Sequence, residues 1–141
     1  SPLDIDGFFK KIEYKVGGEQ LTLSDLENEV IMSEFPDARL HFALVCAAKG
    51  CPPLKSDAYL PEKLENQLEA STEFAVNNKE FVSTSSFPAL AKLSKIFEWY
   101  ADDFKSEGGS VLGFINEYRE EQIPKTHKMV YLDYDWSLNA Q

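Results

Sequence analysis

The chain has 141 residues, one domain's worth and enough to bury a single real core. Its net charge is −10, from 24 acidic against 14 basic residues, and such a surface repels phosphate backbones and anionic lipid, which argues against nucleic acid or a membrane surface as partner. With 43% hydrophobic residues and ten Phe folding is assured, yet no apolar run approaches the roughly 20 residues needed to span a bilayer.

Lys11 to Val16 alternates cleanly, with Ile12, Tyr14 and Val16 on one side, which predicts a half-buried strand. Gly17-Gly18 tolerates positive φ, and Glu19 to Leu21 returns as the second strand of a hairpin. Thr22 then caps a helix, Asp25 reaches back as in a capping box, and Leu21 and Leu26 have the spacing of a hydrophobic staple. Leu23, Leu26 and Val30 give that helix its apolar stripe, and Phe35-Pro36-Asp37 breaks it.

From Ala38 to Ala48 nearly every residue is apolar or small, so the segment reads as buried on all sides. Its length and its alanines favour a central helix capped by Asp37 and ended by Gly50 over a core strand. Cys51-Pro-Pro leaves as an extended loop. Pro61 suits the first turn of a helix running through Leu64, Leu68 and Ala75 to Asn77-Asn78. Phe81-Val82 is a short strand candidate. Ser94 caps a helix with Ile96, Phe97, Trp99 and Tyr100, which Gly108-Gly109 ends; Ser110 caps another with Val111, Phe114, Ile115 and Tyr118 inward. Met129 to Leu132 reads as a final strand. The class is α+β: a mostly helical single domain, 1–141, with a small antiparallel sheet or hairpin and a buried segment around 38–48. Phe42, Val45, Ile96, Phe97 and Phe114 are expected among the most buried residues. There is no internal repeat and no low-complexity tract.

The chemistry concentrates in His41-Phe-Ala-Leu-Val-Cys46-Ala-Ala-Lys-Gly-Cys51-Pro-Pro, which holds both cysteines and one of the two histidines. Thiol plus imidazole serves a cysteine nucleophile, a disulfide or a metal site. Cys46 lies inside the apolar run, where a thiol is usually an inert small hydrophobe with a raised pKa; Cys51 sits at the exit, open to substrate. Neither placement is a helix N-terminus. His41 precedes Cys46 by five residues, about 500° around a helix, so on a helix the two do not share a face. A Cys-x4-Cys spacing closes a disulfide only if the helix ends before Gly50. Zinc would need Cys46, Cys51, His41 and His127 together, without the usual tight spacing. No metal or cofactor is expected, and no Gly-rich phosphate loop exists. The carboxylate pairs Asp102-Asp103 and Asp133/Asp135 are candidate orienters, with solvated surface and turn formation as their commoner roles. Two cysteines fit one disulfide in an exported protein or two free thiols in a cytosolic one. No segment has the pattern of a signal peptide, as in a mature or trimmed product beginning at Ser1.

Three separated motifs carry a resemblance. They are His41 to Leu54; Leu93-Ser-Lys-Ile-Phe97-Glu-Trp99-Tyr100-Ala-Asp-Asp-Phe104; and Tyr131-Leu-Asp-Tyr-Asp-Trp-Ser-Leu-Asn139. In this order they resemble domain of unknown function 547, and Thr22 to Glu27 resembles the helix after that family's hairpin. The resemblance implies a periplasmic or secreted protein, with the cytoplasm as alternative, and implies no particular activity. The family pattern has a preceding Trp/Asn/Tyr-rich helical segment that nothing here matches, so a trimmed domain is expected. Where members carry His after the helix glutamate, this chain has Asn28.

Two functions from different classes follow. The weightier is a non-catalytic binding or scaffold module for a protein or small-molecule partner. In it Cys46 and Cys51 are core residues or a disulfide, and Trp99, Tyr100, Tyr134 and Trp136 build a pocket or interface. The alternative is a papain-like or transglutaminase-like acyl hydrolase or transferase. It would use Cys51 or Cys46 as nucleophile, His41 as base, and Glu27, Asn28 or Asp135 as orienter.

Overall fold

The computed structural model describes residues 1–139. Two strands, β1 (Glu13–Val16) and β2 (Glu19–Thr22), form an antiparallel hairpin in which Val16 faces Glu19. The intervening Gly17 and Gly18 both hold positive φ, 61° and 98°, which the two-residue turn requires and which a side chain would oppose. The alternation in this hairpin predicts a buried face, but all of β1 is exposed. Tyr14 and Val16, which share a face, are 38% and 37% exposed, so that face is left open to solvent among the described residues.

Thr22 closes the hairpin and starts the next helix. Its Oγ1 accepts from the Asp25 backbone N–H at 3.1 Å, and the Asp25 carboxylate accepts from the Thr22 N–H at 3.1 Å, the reciprocal box expected from the sequence. Helix α1 (Leu23–Asp25) widens at once into a π-helical stretch, Leu26–Met32, and Val30 lies exposed.

The predicted helix over 38–48 is absent. Asp37 does cap, accepting from the Arg39 N–H at 2.9 Å, but the helix is a short 3-10 segment, Ala38–Phe42. From Ala43 the backbone is irregular, and Ala47 adopts φ 59°. Its bonds go across to the C-terminal segment instead. Ala48 bridges Leu138, Lys49 N–H donates to Ser137 O and Gly50 N–H to Asp135 O, both at 2.9 Å, and Asn139 N–H donates to Ala47 O at 2.8 Å. Val45 is accordingly half-buried rather than central.

A 3-10 turn at Pro61–Lys63 opens α2 (Leu64–Asn77), which buries Leu68, Ala75 and Val76. A three-stranded sheet of order β3 (Val82–Ser86), β4 (Ala89–Leu93), β5 (Lys128–Tyr131) follows. β3 and β4 are antiparallel; β4 and β5 are parallel, with Leu93 opposite Tyr131. A parallel pair needs a long crossover, and here it holds α3 (Ile96–Trp99), α4 (Ala101–Gly108) and α5 (Val111–Tyr118). Ser110 caps α5, accepting from Gly113 N–H at 2.8 Å. The sequence gives no sign of β4, because its alanines and lysine are poor strand formers. It forms because β3 and β5 flank it, and Ala91 and Leu93 are fully buried there.

The core is an aromatic cluster. Phe97 and Phe104 have ring centroids 5.1 Å apart, Phe42 lies 5.5 Å from Phe97, and Phe114 lies 4.8 Å from Phe104. All four are essentially inaccessible, as is Ile115, and Ile96 is nearly so. This cluster seats the 3-10 turn bearing His41 against α4. Truncating Phe97 to Ala is expected to cost roughly 3–5 kcal/mol in urea unfolding; a loss under about 1 kcal/mol would contradict this packing.

Candidate functional site

Helix α1 and the π-helical stretch after it, the 3-10 turn, the loop that follows, α3 and the C-terminal segment together line a cavity of about 510 Å³. Leu23, Leu26, Ile31, Leu44, Val45 and Ile96 give it apolar walls. Trp99, Tyr134 and Trp136 form one aromatic side, with centroids 4.7 to 5.8 Å apart. Tyr100, Glu27, Asn28, His41, Cys46 and Cys51 also face it. Phe9 and Lys10 complete the rim. Nothing in their local sequence marks these two. They reach the cavity because Ser24 N–H donates to Phe9 O at 2.9 Å.

The two thiols meet on this wall. Both cysteines are free, Cys51 buried and Cys46 half-buried. The turn between them, with Ala47 left-handed and Cys51 N–H donating to Ala48 O at 3.1 Å, brings the sulfurs to 3.0 Å. The Cys46 backbone N–H donates to Cys51 Sγ at 2.9 Å, and the Tyr134 hydroxyl lies 3.2 Å from Cys46 Sγ. In the neutral pair either S–H serves as donor; once Cys46 ionises, Cys51 and Tyr134 both donate to it. That hydrogen bond from Cys51, joined by the one from Tyr134, lowers the Cys46 pKa to about 6 against the opposing effect of burial. The Cys51 thiol is pushed up, first by its bond to Cys46 and then by burial. Tyr134 is also raised, by burial and by the neighbouring sulfur, and stays a protonated donor.

Gly50 makes this approach possible. A Cβ there would lie 3.0 Å from the Tyr134 ring and 3.1 Å from the Asp135 backbone nitrogen. Cys51 and Tyr134 also border a second cavity of about 520 Å³, whose walls include Asn78, Glu80, Ser94 and Asp133.

His41 occupies a separate corner. Its Nε2 lies 2.8 Å from an Asp103 carboxylate oxygen, and its ring stacks on Tyr100 at 3.7 Å. Tyr100 in turn donates its hydroxyl to Glu27 Oε1 at 3.1 Å. Burial lowers the His41 pKa and outweighs the contrary pull of Asp103, so the ring is neutral at pH 7 with Nε2–H donating to the carboxylate. Among the described residues no hydrogen bond joins His41 to either sulfur.

The predicted orienters are therefore dispersed. Glu27 accepts from the Tyr100 hydroxyl, and Tyr100 lies stacked on His41. Asn28 donates to Ser24 O at 2.8 Å. Asp135 is exposed in a turn, accepting from Ser137 N–H at 2.9 Å, and its pKa is lowered by that contact. Asp103 is the residue beside His41, while its neighbour Asp102 is solvated and pairs with Lys105. Helical periodicity separates the two aspartates once α4 is known, since adjacent residues point about 100° apart.

His41 makes stability pH-dependent in a predictable sense. Its folded pKa lies below the unfolded value of about 6.5, so its contribution is complete above that pH and is lost as pH falls below it. Unfolding free energies measured from about pH 6.5 down to about pH 5 should fall more steeply for the wild type than for His41→Gln, by at most ~1.4 kcal/mol per pH unit. Equal slopes would mean that His41 is not a neutral buried group.

The family model described as "Protein of unknown function, DUF547" matches residues 3–74, just over half of the chain. The matched residues include the capping box, His41 and both cysteines; the motifs at 93–104 and 131–139 lie outside them. No curated protein and no solved structure matches the chain. The chain belongs to the DUF547 family.

Proposed function

We propose that this domain binds a small, largely apolar molecule and presents to it a reactive thiol, Cys46. The observation that carries this reading is the position of Cys46 Sγ, on an apolar cavity wall yet within reach of two donors, the Cys51 thiol and the Tyr134 hydroxyl. A thiol in apolar surroundings is normally protonated and inert. Two donors favour the thiolate, which is the nucleophilic form. The aromatic side made by Trp99, Tyr134 and Trp136 offers flat apolar surface to a ligand. Binding and thiol chemistry then share one cavity.

The hydrolase arrangement, with His41 as base for a cysteine, has less support. Nε2 is engaged by Asp103 and the ring by Tyr100, so the imidazole would have to leave both to take a thiol proton. In the proposed reading Cys46 needs no base, because its proton is already lost near neutral pH. The extracytoplasmic location implied by the family resemblance remains part of the proposal; among the described residues no helix is long and apolar enough to cross a membrane.

Alkylation of the native reduced protein with iodoacetamide tests this. Modification should fall on Cys46, with a rate that rises with pH around a midpoint near 6. The midpoint is the signature, because a low pKa also lowers intrinsic nucleophilicity and the plateau rate alone is ambiguous. A midpoint at the ordinary thiol value of about 8.5, or modification only after unfolding, would leave a binding pocket without a reactive thiol.

A further inference from the structure

Resting on the reading of Cys46 as a reactive thiol, we propose that Cys46 and Cys51 perform thiol–disulfide exchange with a small organic disulfide whose body is apolar. Cys46 is the attacking thiol and Cys51 the resolving one.

The roles follow from position. Cys46 is half-buried on the cavity wall, whereas Cys51 is 7% exposed, so an incoming disulfide meets Cys46 first. The sulfurs are unbonded at 3.0 Å, close to the covalent S–S distance of about 2.05 Å. Closing the bond therefore takes a small movement. Besides the Cys46 N–H bond to Cys51 Sγ, the loop that brings them together is held by backbone bonds to Asp135, Ser137 and Asn139, which do not involve the sulfurs. It is thus positioned in both redox states.

The first step forms a bond between Cys46 Sγ and one sulfur of R–S–S–R′. The substrate S–S bond breaks and R′S⁻ leaves, taking up the proton that Cys46 released. Cys51 now faces a neutral mixed disulfide. Its bond to the Cys46 thiolate, the main cause of its raised pKa, has gone, while the Cys46 N–H at 2.9 Å remains to stabilise its anion. Cys51 loses its proton to solvent and attacks Cys46 Sγ; RS⁻ leaves and is protonated in turn. Two electrons pass from the cysteine pair to the substrate, giving RSH, R′SH and the Cys46–Cys51 disulfide. The steps are reversible, and a small dithiol returns the pair to its reduced form.

The cavity defines the substrate class. Leu26, Ile31, Leu44, Val45, Trp99 and Trp136 line the cavity with Cys46, and its charged lining residues, Glu27 and Lys10, are one of each sign, so apolar surface dominates. With a chain charge of −10, this disfavours anionic disulfides and favours a neutral ring or aliphatic chain.

The test mixes the whole reduced protein with one equivalent of dipyridyl disulfide, which is neutral and aromatic, or of glutathione disulfide, which is anionic. Each rate is divided by that of N-acetylcysteine amide with the same reagent. The expected result is two pyridinethiones released per protein and a product lighter by two hydrogen atoms, which dithiothreitol reverts. Cys51→Ser should release one pyridinethione and stop as the mixed disulfide at Cys46. The normalised rate should favour dipyridyl disulfide by about tenfold, on the order expected for burying one ring. Fast formation of a stable mixed disulfide in the wild type would overturn the inference and leave the reactive-thiol reading intact. Equal normalised rates would overturn the substrate class. Failure of Cys46 to react in the folded protein would overturn both the inference and the reading beneath it.

Discussion

The arrangement of the site depends on a short backbone seam between residues 47–50 and 135–139. Three hydrogen bonds make it: Lys49 N–H to Ser137 O and Asn139 N–H to Ala47 O, which together pair Ala48 with Leu138, and Gly50 N–H to Asp135 O. Backbone groups this close to the interior must find partners, and here each segment satisfies the other. The seam sets the left-handed turn at Ala47 and excludes the helix that composition alone favours. It also carries Tyr134 past Gly50, where any larger residue would meet the ring. The positions of both sulfurs and of the phenol therefore follow from one set of main-chain bonds.

Given that geometry, the chemistry is a matter of which sulfur keeps the proton. Burial alone would hold both thiols protonated. Placing Cys46 where a thiol and a phenol both point at it reverses the outcome for one sulfur and reinforces it for the other. The asymmetry needs no metal, no positive side chain and no helix dipole. His41 stands apart from it, held by Asp103 and stacked on Tyr100. Its connection to the cavity runs through Tyr100 to Glu27, and its packing against Phe104, with centroids 5.6 Å apart, ties that corner to the aromatic core.

Local features were legible in the sequence because they are local. The Gly17-Gly18 turn, the Thr22–Asp25 box, the Asp37 and Ser110 caps and the Pro61 helix start are each set by neighbours within a few residues. The class and the aromatic core could be read from periodicity. What could not be read lies far apart along the chain. Tyr134 is 88 residues from Cys46, and Asp103 is 62 from His41; nothing in either segment announces the other. The seam is of the same kind, and without it the Ala38–Ala48 run has every local mark of a helix. Strand β4 is a strand by virtue of its neighbours, and the alternation in β1 does not reveal that the strand stays exposed.

Cys46, Cys51 and Tyr134 form one hydrogen-bonded unit, and in the proposed reading Cys46 carries its charge. The most direct measurement is the pH titration of both cysteine ¹³Cβ resonances by NMR in the folded, reduced protein and in Tyr134→Phe. Cys46 is expected to titrate near pH 6, Cys51 to stay protonated through that range, and loss of the phenol to move the Cys46 midpoint upward. Two cysteines titrating independently near the ordinary value of about 8.5, unmoved by the Tyr134 substitution, would contradict that reading.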